Sequence, residues 1–157
     1  MSQSDKPAQL PLGSSSGKDI VLENGWIKAT YDLHGRLVSL YDQSEMRELI
    51  PKGHVGNKLK LYEDIPLYWE AWDVEMYHLN TGKDAGLGKA RLGEVGPLRA
   101  SVIVEYALTA TSTAVQTIVL TAASPRLDFH MTADWHENRT LLVRYSDHSS
   151  LTEESRN

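Results

Sequence analysis

Between Leu98 and Leu108 apolar and polar side chains alternate almost without a break, and this stretch constrains the fold more than any other. In an extended strand one face carries Leu98, Ala100, Val102, Val104, Tyr106 and Leu108, and the other Arg99, Ser101, Ile103, Glu105 and Ala107. Val115 to Thr121 repeats the idea. After a turn at Ser124-Pro125, Leu127, Phe129, Met131 and Ala133 alternate with Asp128, His130, Thr132 and Asp134. Upstream, Leu59 and Leu61 alternate with Lys58 and Lys60. Ile20, Leu22, Trp26, Ile27 and Tyr31 lead through Leu33-His34-Gly35 to Leu37, Val38, Leu40 and Tyr41. That spacing predicts a hairpin whose turn uses the positive φ open to Gly35. About eight or nine strands with turn signals every 8–12 residues or so predict an all-β fold, an antiparallel sandwich. Ser44 to Ile50 is the one short stretch with helical spacing, a single turn stopped by Pro51 and Gly53.

A chain of 157 residues supports one core. Residues 1–18 hold two prolines and the run Gly13-Ser14-Ser15-Ser16-Gly17, the composition of a flexible leader. Residues 19–146 form the partial sandwich. Residues 147–157 are a polar tail, so both termini are expected to be disordered. Thr81 to Gly96 predicts a loop around Gly82, Gly86 and Gly88 with a short strand near Ala90 to Val95. A last strand begins near Leu141, and the chain reads as though it stops inside its own sheet.

The stretch Asp64 to His78 stands apart, with Trp69 and Trp72 among Asp64, Glu70, Asp73 and Glu75. Pro66 bars a central strand there, so the segment reads as a loop feeding a strand that puts Trp72, Val74, Met76 and His78 on one face. Tyr68, Trp69 and Trp72 are suited either to stacking on the apolar face of a sugar ring or to filling a seam against another domain. The seam is preferred, because a small domain rarely leaves so much aromatic surface in water. Asp73 and Glu75 share a face, a spacing at which one carboxylate can raise the pKa of the other, but adjacent acids on a solvated sheet face are common.

Other chemistry is sparse. A net charge of −5, with sixteen Lys and Arg scattered singly, argues against nucleic acid and against a membrane surface as partners. The absence of cysteine removes disulfides and thiolate metal sites. No secretory signal or bilayer-length apolar run is present, so a cytoplasmic location is expected, and Asn138-Arg139-Thr140 is a glycosylation triplet that matters only in secreted chains. Six histidines lie without a metal-ligand spacing. Asp134-Trp135-His136-Glu137 is read as a turn of satisfied surface polar groups rather than a cation site. There is no Gly-x-Ser-x-Gly and no phosphate loop, and Gly86-Leu87-Gly88 has no helix behind it.

Leu22 to Gly25, Gly35 to Leu37, Gly-Asn-Lys-Leu-x-Leu-Tyr-Glu-Asp at Gly56 to Asp64 and Tyr-Trp-Glu-Ala-Trp-Asp-Val at Tyr68 to Val74 together resemble the β-sandwich region of family-38 α-mannosidases. The likeness continues through Gly96 to Ala100, Gln116 to Ile118, Arg126 to Phe129 and Asp134 to Glu137, covering roughly Ile20 to Val143. It is similar to the cytosolic-type branch. The resemblance implies an incomplete galactose-mutarotase-like supersandwich within an enzyme that removes α-linked mannose from oligosaccharides. Such enzymes are retaining, with an aspartate nucleophile, an acid/base carboxylate and a divalent metal, zinc or in some members cobalt. Those groups belong to preceding domains, so no catalytic residue, metal ligand or cofactor is carried over to this chain. Tyr68, Trp69, Trp72 and Asp73 are the residues expected to lie at the substrate cleft or the interdomain contact. The chain then reads as a fragment, inactive alone, whose partners are the missing catalytic domain or another mannosidase chain and, through the full enzyme, mannose-containing oligosaccharides. After Val143 the sequence departs from the family pattern. The alternative is a stand-alone carbohydrate-binding sandwich.

Overall fold

The computed structural model describes residues 12–65 and 80–145, and among these the regular structure is antiparallel β-sheet, with no α-helix. Five strands form a meander in chain order: β1 (Leu12–Ser15), β2 (Asp19–Glu23), β3 (Ile27–Asp32), β4 (Leu37–Asp42) and β5 (Arg47–Glu48). A second sheet places β8 (Lys89–Val95), β9 (Arg99–Ala107), β10 (Thr113–Thr121) and β11 (Leu127–Asp134) side by side in the same sequential way. A third sheet sets β6 (Lys58–Glu63) between β7 (Lys83–Asp84) and β12 (Thr140–Tyr145). The all-β sandwich expected from the alternating pattern is the architecture observed.

The core lies between the first two sheets. Ile20, Leu22, Ala29 and Tyr31 from β2 and β3 are fully buried, as are Ala100, Val102 and Val104 from β9 and Ile118 and Leu120 from β10. Each such Ile, Leu or Val side chain contributes about 1.5–3 kcal/mol relative to its exposed state. Pairing fixes which face is inward. Val102 opposes Ile118 and Val104 opposes Gln116, so directly opposed residues project to the same side. On β10 the inward set is therefore Ala114, Gln116, Ile118 and Leu120, while Val115 points out and is 44% exposed. Gln116 is nevertheless buried, and its Oε1 accepts a hydrogen bond from Asn57 Nδ2 at 2.7 Å. Leu98 leaves the expected inner face because it precedes β9 in the hairpin turn, where it is largely exposed.

Two expectations are corrected. The leader is not featureless over Leu12–Ser15: these residues pair with β2, Gly13 opposite Leu22 and Ser14 opposite Val21. The glycine and serine composition that reads as flexible serves close approach instead. A Cβ at Gly13 would stand 2.9 Å from both Leu92 Cδ1 and Val95 Cγ2, so only glycine lets β1 lie against the second sheet. Ser44 to Ile50 is not a helical turn. Asp42 Oδ1 accepts the Ser44 and Glu45 amides at 2.9 and 3.1 Å, Met46 takes φ 52°, and the chain reverses so that β5 pairs with β4. Met46 projects into solvent rather than onto a shared face.

The β3–β4 turn follows the expected route. Asp32 Oδ1 accepts the amides of His34 and Arg36 at 2.9 and 3.0 Å, and Gly35 adopts φ 80°. At the opposite end of the sandwich Asn24, fully buried, joins the sheets. Its Nδ2 donates to the Thr121 and Ser124 carbonyls, both at 2.8 Å, and its Oδ1 accepts the Trp26 and Ile27 amides at 2.9 and 3.0 Å. Strand β8 falls where Ala90 to Val95 was expected; β7 and the inward Gln116 were not anticipated.

Candidate functional site

Tyr68, Trp69, Trp72 and Asp73, together with the strand expected from Ala71 to Leu79, lie outside the described residues. What is described is the base from which that segment departs. Strand β6 ends at Glu63, whose amide donates to Thr81 Oγ1 at 2.9 Å, and the Asp64 amide donates to the Arg139 carbonyl at 2.8 Å. Both ends of the segment thus start from the three-stranded sheet. A hollow of about 250 Å³ sits there, lined by Leu61, Tyr62, Glu63, Thr81, Lys83, Thr109 and Thr140.

Beside that hollow the Asp134 to Glu137 cluster forms a knot of hydroxyls around one carboxylate. Glu137 Oε1 accepts hydrogen bonds from Thr109 Oγ1 at 2.5 Å and from Thr111 Oγ1 and Ser112 Oγ at 2.9 Å. Ser112 Oγ in turn accepts the His136 amide at 2.9 Å, and Asp134 Oδ1 pairs with His136 Nε2 at 2.9 Å. The cluster is therefore internally satisfied, as its reading as a turn anticipated. It ties the β9–β10 turn to the connection between β11 and β12. Hydrogen bonds from Thr109, Ser112 and Thr111 hold the Glu137 carboxyl below its ordinary 4.5. A depressed folded-state pKa gives stability that is present above the unfolded value and is lost as pH falls through the folded one. Glu137→Gln is accordingly expected to lower the urea midpoint at pH 7 and to shrink the loss of stability on acidification below pH 4.5. Parallel acid titrations of the two proteins, followed by circular dichroism, measure this; equal acid sensitivity would mean the knot carries no linkage.

A second pocket of about 210 Å³ opens where the β3–β4 turn, the start of β6, the β7–β8 loop and β9 meet. His34, Arg36, Asn57, Asp84, Leu87 and Tyr106 are among the residues lining it. His34 Nδ1 sits 3.2 Å from the Gly88 carbonyl, and Arg36 Nε pairs with Asp32 Oδ2 at 2.6 Å. Asn57, in the left-handed region at φ 58°, donates through Nδ2 to the Gly35 carbonyl at 2.8 Å as well as to Gln116, leaving its buried Oδ1 without a hydrogen-bond partner. Sequence reading missed this site because its residues span positions 34 to 106 and converge only through sheet register. The one local signal was the glycine-rich loop at Gly86 and Gly88.

Residues 22–155 match the family described as Glycosyl hydrolases family 38 C-terminal domain. The chain belongs to glycosyl hydrolase family 38. Alpha-mannosidase 2C1 of Homo sapiens is 40% identical over 126 residues, which cover 78% of this chain and 12% of the human protein. Alpha-mannosidase G of Dictyostelium discoideum is 36% identical over 129 residues, covering 79% of this chain and 12% of its own length. An alpha-mannosidase of Saccharomyces cerevisiae is 37% identical over 70 residues, or 41% of this chain and 6% of the yeast protein. The chain thus spans about an eighth of the length of the human and Dictyostelium relatives. The family-38 match runs to residue 155.

Among the described residues no three His, Cys, Asp or Glu side chains converge on a position that holds a metal ion. Asp134 and His136 satisfy each other and are two ligands at most.

Proposed function

We propose that this chain serves as a β-sandwich portion of an α-mannosidase that hydrolyses terminal α-D-mannose from oligosaccharides in mannose and glycan catabolism. The observation that carries the reading is the family-38 match over residues 22–155, joined to 40% identity with human alpha-mannosidase 2C1. In this role the sandwich walls the substrate cleft and packs against a catalytic domain or another mannosidase chain, with Tyr68, Trp69, Trp72 and Asp73 nearest that contact. Zinc or cobalt belongs to the catalytic portion. The location proposed is cytoplasmic, and among the described residues no helix is long and apolar enough to cross a membrane.

Retaining hydrolysis needs two carboxylates about 5–5.5 Å apart on either side of the scissile bond. Among the described carboxylates near the site, Glu137 is engaged by three hydroxyls and Asp134 by His136. The purified chain is therefore expected to release no p-nitrophenol from p-nitrophenyl α-D-mannoside, with zinc or cobalt added. Metal-dependent turnover by the chain alone would overturn the structural role. Tryptophan fluorescence during a titration with mannose oligosaccharides separates the alternative, since a saturable change lost in Trp69→Ala and Trp72→Ala would make the chain a carbohydrate-binding module in its own right.

A further inference from the structure

The pocket between the β3–β4 turn and the β7–β8 loop has features of a ligand site that the cleft-walling role does not use. Glycine lets its loop pack closely on the strands beneath. A Cβ on Gly88 would lie 2.5 Å from Val104 Cγ1 and 2.8 Å from both the His34 carbonyl and Tyr106 Cε1, and Gly86 holds φ 83° to turn the loop over the opening. The lining combines apolar residues, Leu59, Leu87 and Tyr106, with polar ones, His34, Arg36, Lys58 and Asp84. Behind them the Asn57 carboxamide, in a residue only 6% exposed, keeps an unpartnered acceptor. Buried carbonyls are rarely left in that state without a ligand or water nearby.

The charges decide the class of ligand. Arg36 is paired with Asp32 at 2.6 Å, and Lys58 and Asp84 both line the pocket, so two cations are matched by two carboxylates and the balance does not favour a phosphate or a carboxylate. A volume of about 210 Å³ is below the usual range for drug-sized ligands and suits a single ring. We propose that this pocket binds one neutral hexopyranose unit, its apolar C–H face against Leu59, Leu87 and Tyr106 and its hydroxyls toward Asp84, Arg36 and His34. The choice of mannose as the probe rests on the α-mannosidase reading; the site itself rests on the pocket.

Titrating the full chain, isotopically labelled at backbone amides and leucine methyls, with methyl α-D-mannopyranoside tests this by NMR. Saturable shifts are expected at the Leu59 and Leu87 methyls and at the Gly86 and Gly88 amides. Leu87→Trp, which fills the mouth from an exposed position, and Asp84→Ala, which removes an exposed acceptor, are each expected to weaken binding at least about tenfold while leaving distant resonances in place. Absence of saturable shifts at these groups, shifts unchanged by both substitutions, or displacement of the sugar by inorganic phosphate would overturn the proposal. Equal binding of the gluco epimer would leave the hexose site standing and overturn only the choice of mannose as its ligand.

Discussion

Asn24→Ala is expected to lower the stability of the chain by about 3–5 kcal/mol, a large share of the roughly 5–15 kcal/mol typical of a domain. The carboxamide closes four hydrogen bonds between 2.8 and 3.0 Å, to the Thr121 and Ser124 carbonyls on one side and the Trp26 and Ile27 amides on the other. Alanine removes all four at once from a fully buried position, and each backbone group left unpaired costs about 1–3 kcal/mol unless water reaches it. Urea unfolding measures the effect as a lower midpoint with an unchanged slope. Asn24→Asp sharpens the test. Its carboxylate still accepts the two amides but faces two carbonyl oxygens, so it is destabilised at neutral pH and partly recovers when acid supplies a proton to donate. A loss below about 1 kcal/mol for the alanine variant would show that the two sheets do not depend on this residue.

Gly35→Ala is the second large effect. The residue sits at φ 80°, where a Cβ costs about 1–2 kcal/mol, and that Cβ would meet Val104 Cγ1 at 2.5 Å and Cγ2 at 2.7 Å. Val104 is fully buried between the sheets, so the clash adds overpacking of about 1–3 kcal/mol and the total is expected near 3–4 kcal/mol. The pairing with Val104 gives a specific check. In a double-mutant cycle with Val104→Ala the two losses should sum to more than the double variant shows, because the smaller side chain makes room for the new methyl. Strict additivity would place the whole cost in the backbone and remove the contact from the explanation.

These two sites also show what the sequence disclosed. Gly35 was legible because a glycine between two alternating runs has one common use, a turn at positive φ. The inner face of β9 was legible because Ala100, Val102, Val104 and Tyr106 repeat every second residue. Asn24, in the β2–β3 turn, and Gln116, on β10, were not, since a polar residue in either place reads as outward until a distant partner satisfies it. Asn57 is that partner for Gln116, fifty-nine positions away. Strand β1 was hidden for a different reason: glycine and serine signal flexibility by composition, yet the lack of bulk at Gly13 is what admits the strand between β2 and β8. Ser44 to Ile50 misled because helical spacing over one turn carries little weight against an aspartate that caps a tight reversal. The candidate site divides in the same way. The Asp134 to Glu137 cluster was visible as a motif and read as satisfied, whereas the hexose pocket is assembled from three sheets and has no contiguous trace.

The role assigned to this chain is tested most directly by grafting residues 22–145 into human alpha-mannosidase 2C1 in place of the matching stretch and measuring hydrolysis of p-nitrophenyl α-D-mannoside. The graft is expected to retain activity within about tenfold of the parent, a change of about 1.4 kcal/mol in transition-state stabilisation, and to lose more when Trp69 and Trp72 are both replaced by alanine. A correctly folded graft without activity, or one indifferent to both tryptophans, would contradict the account of this sandwich as the cleft-forming part of an α-mannosidase.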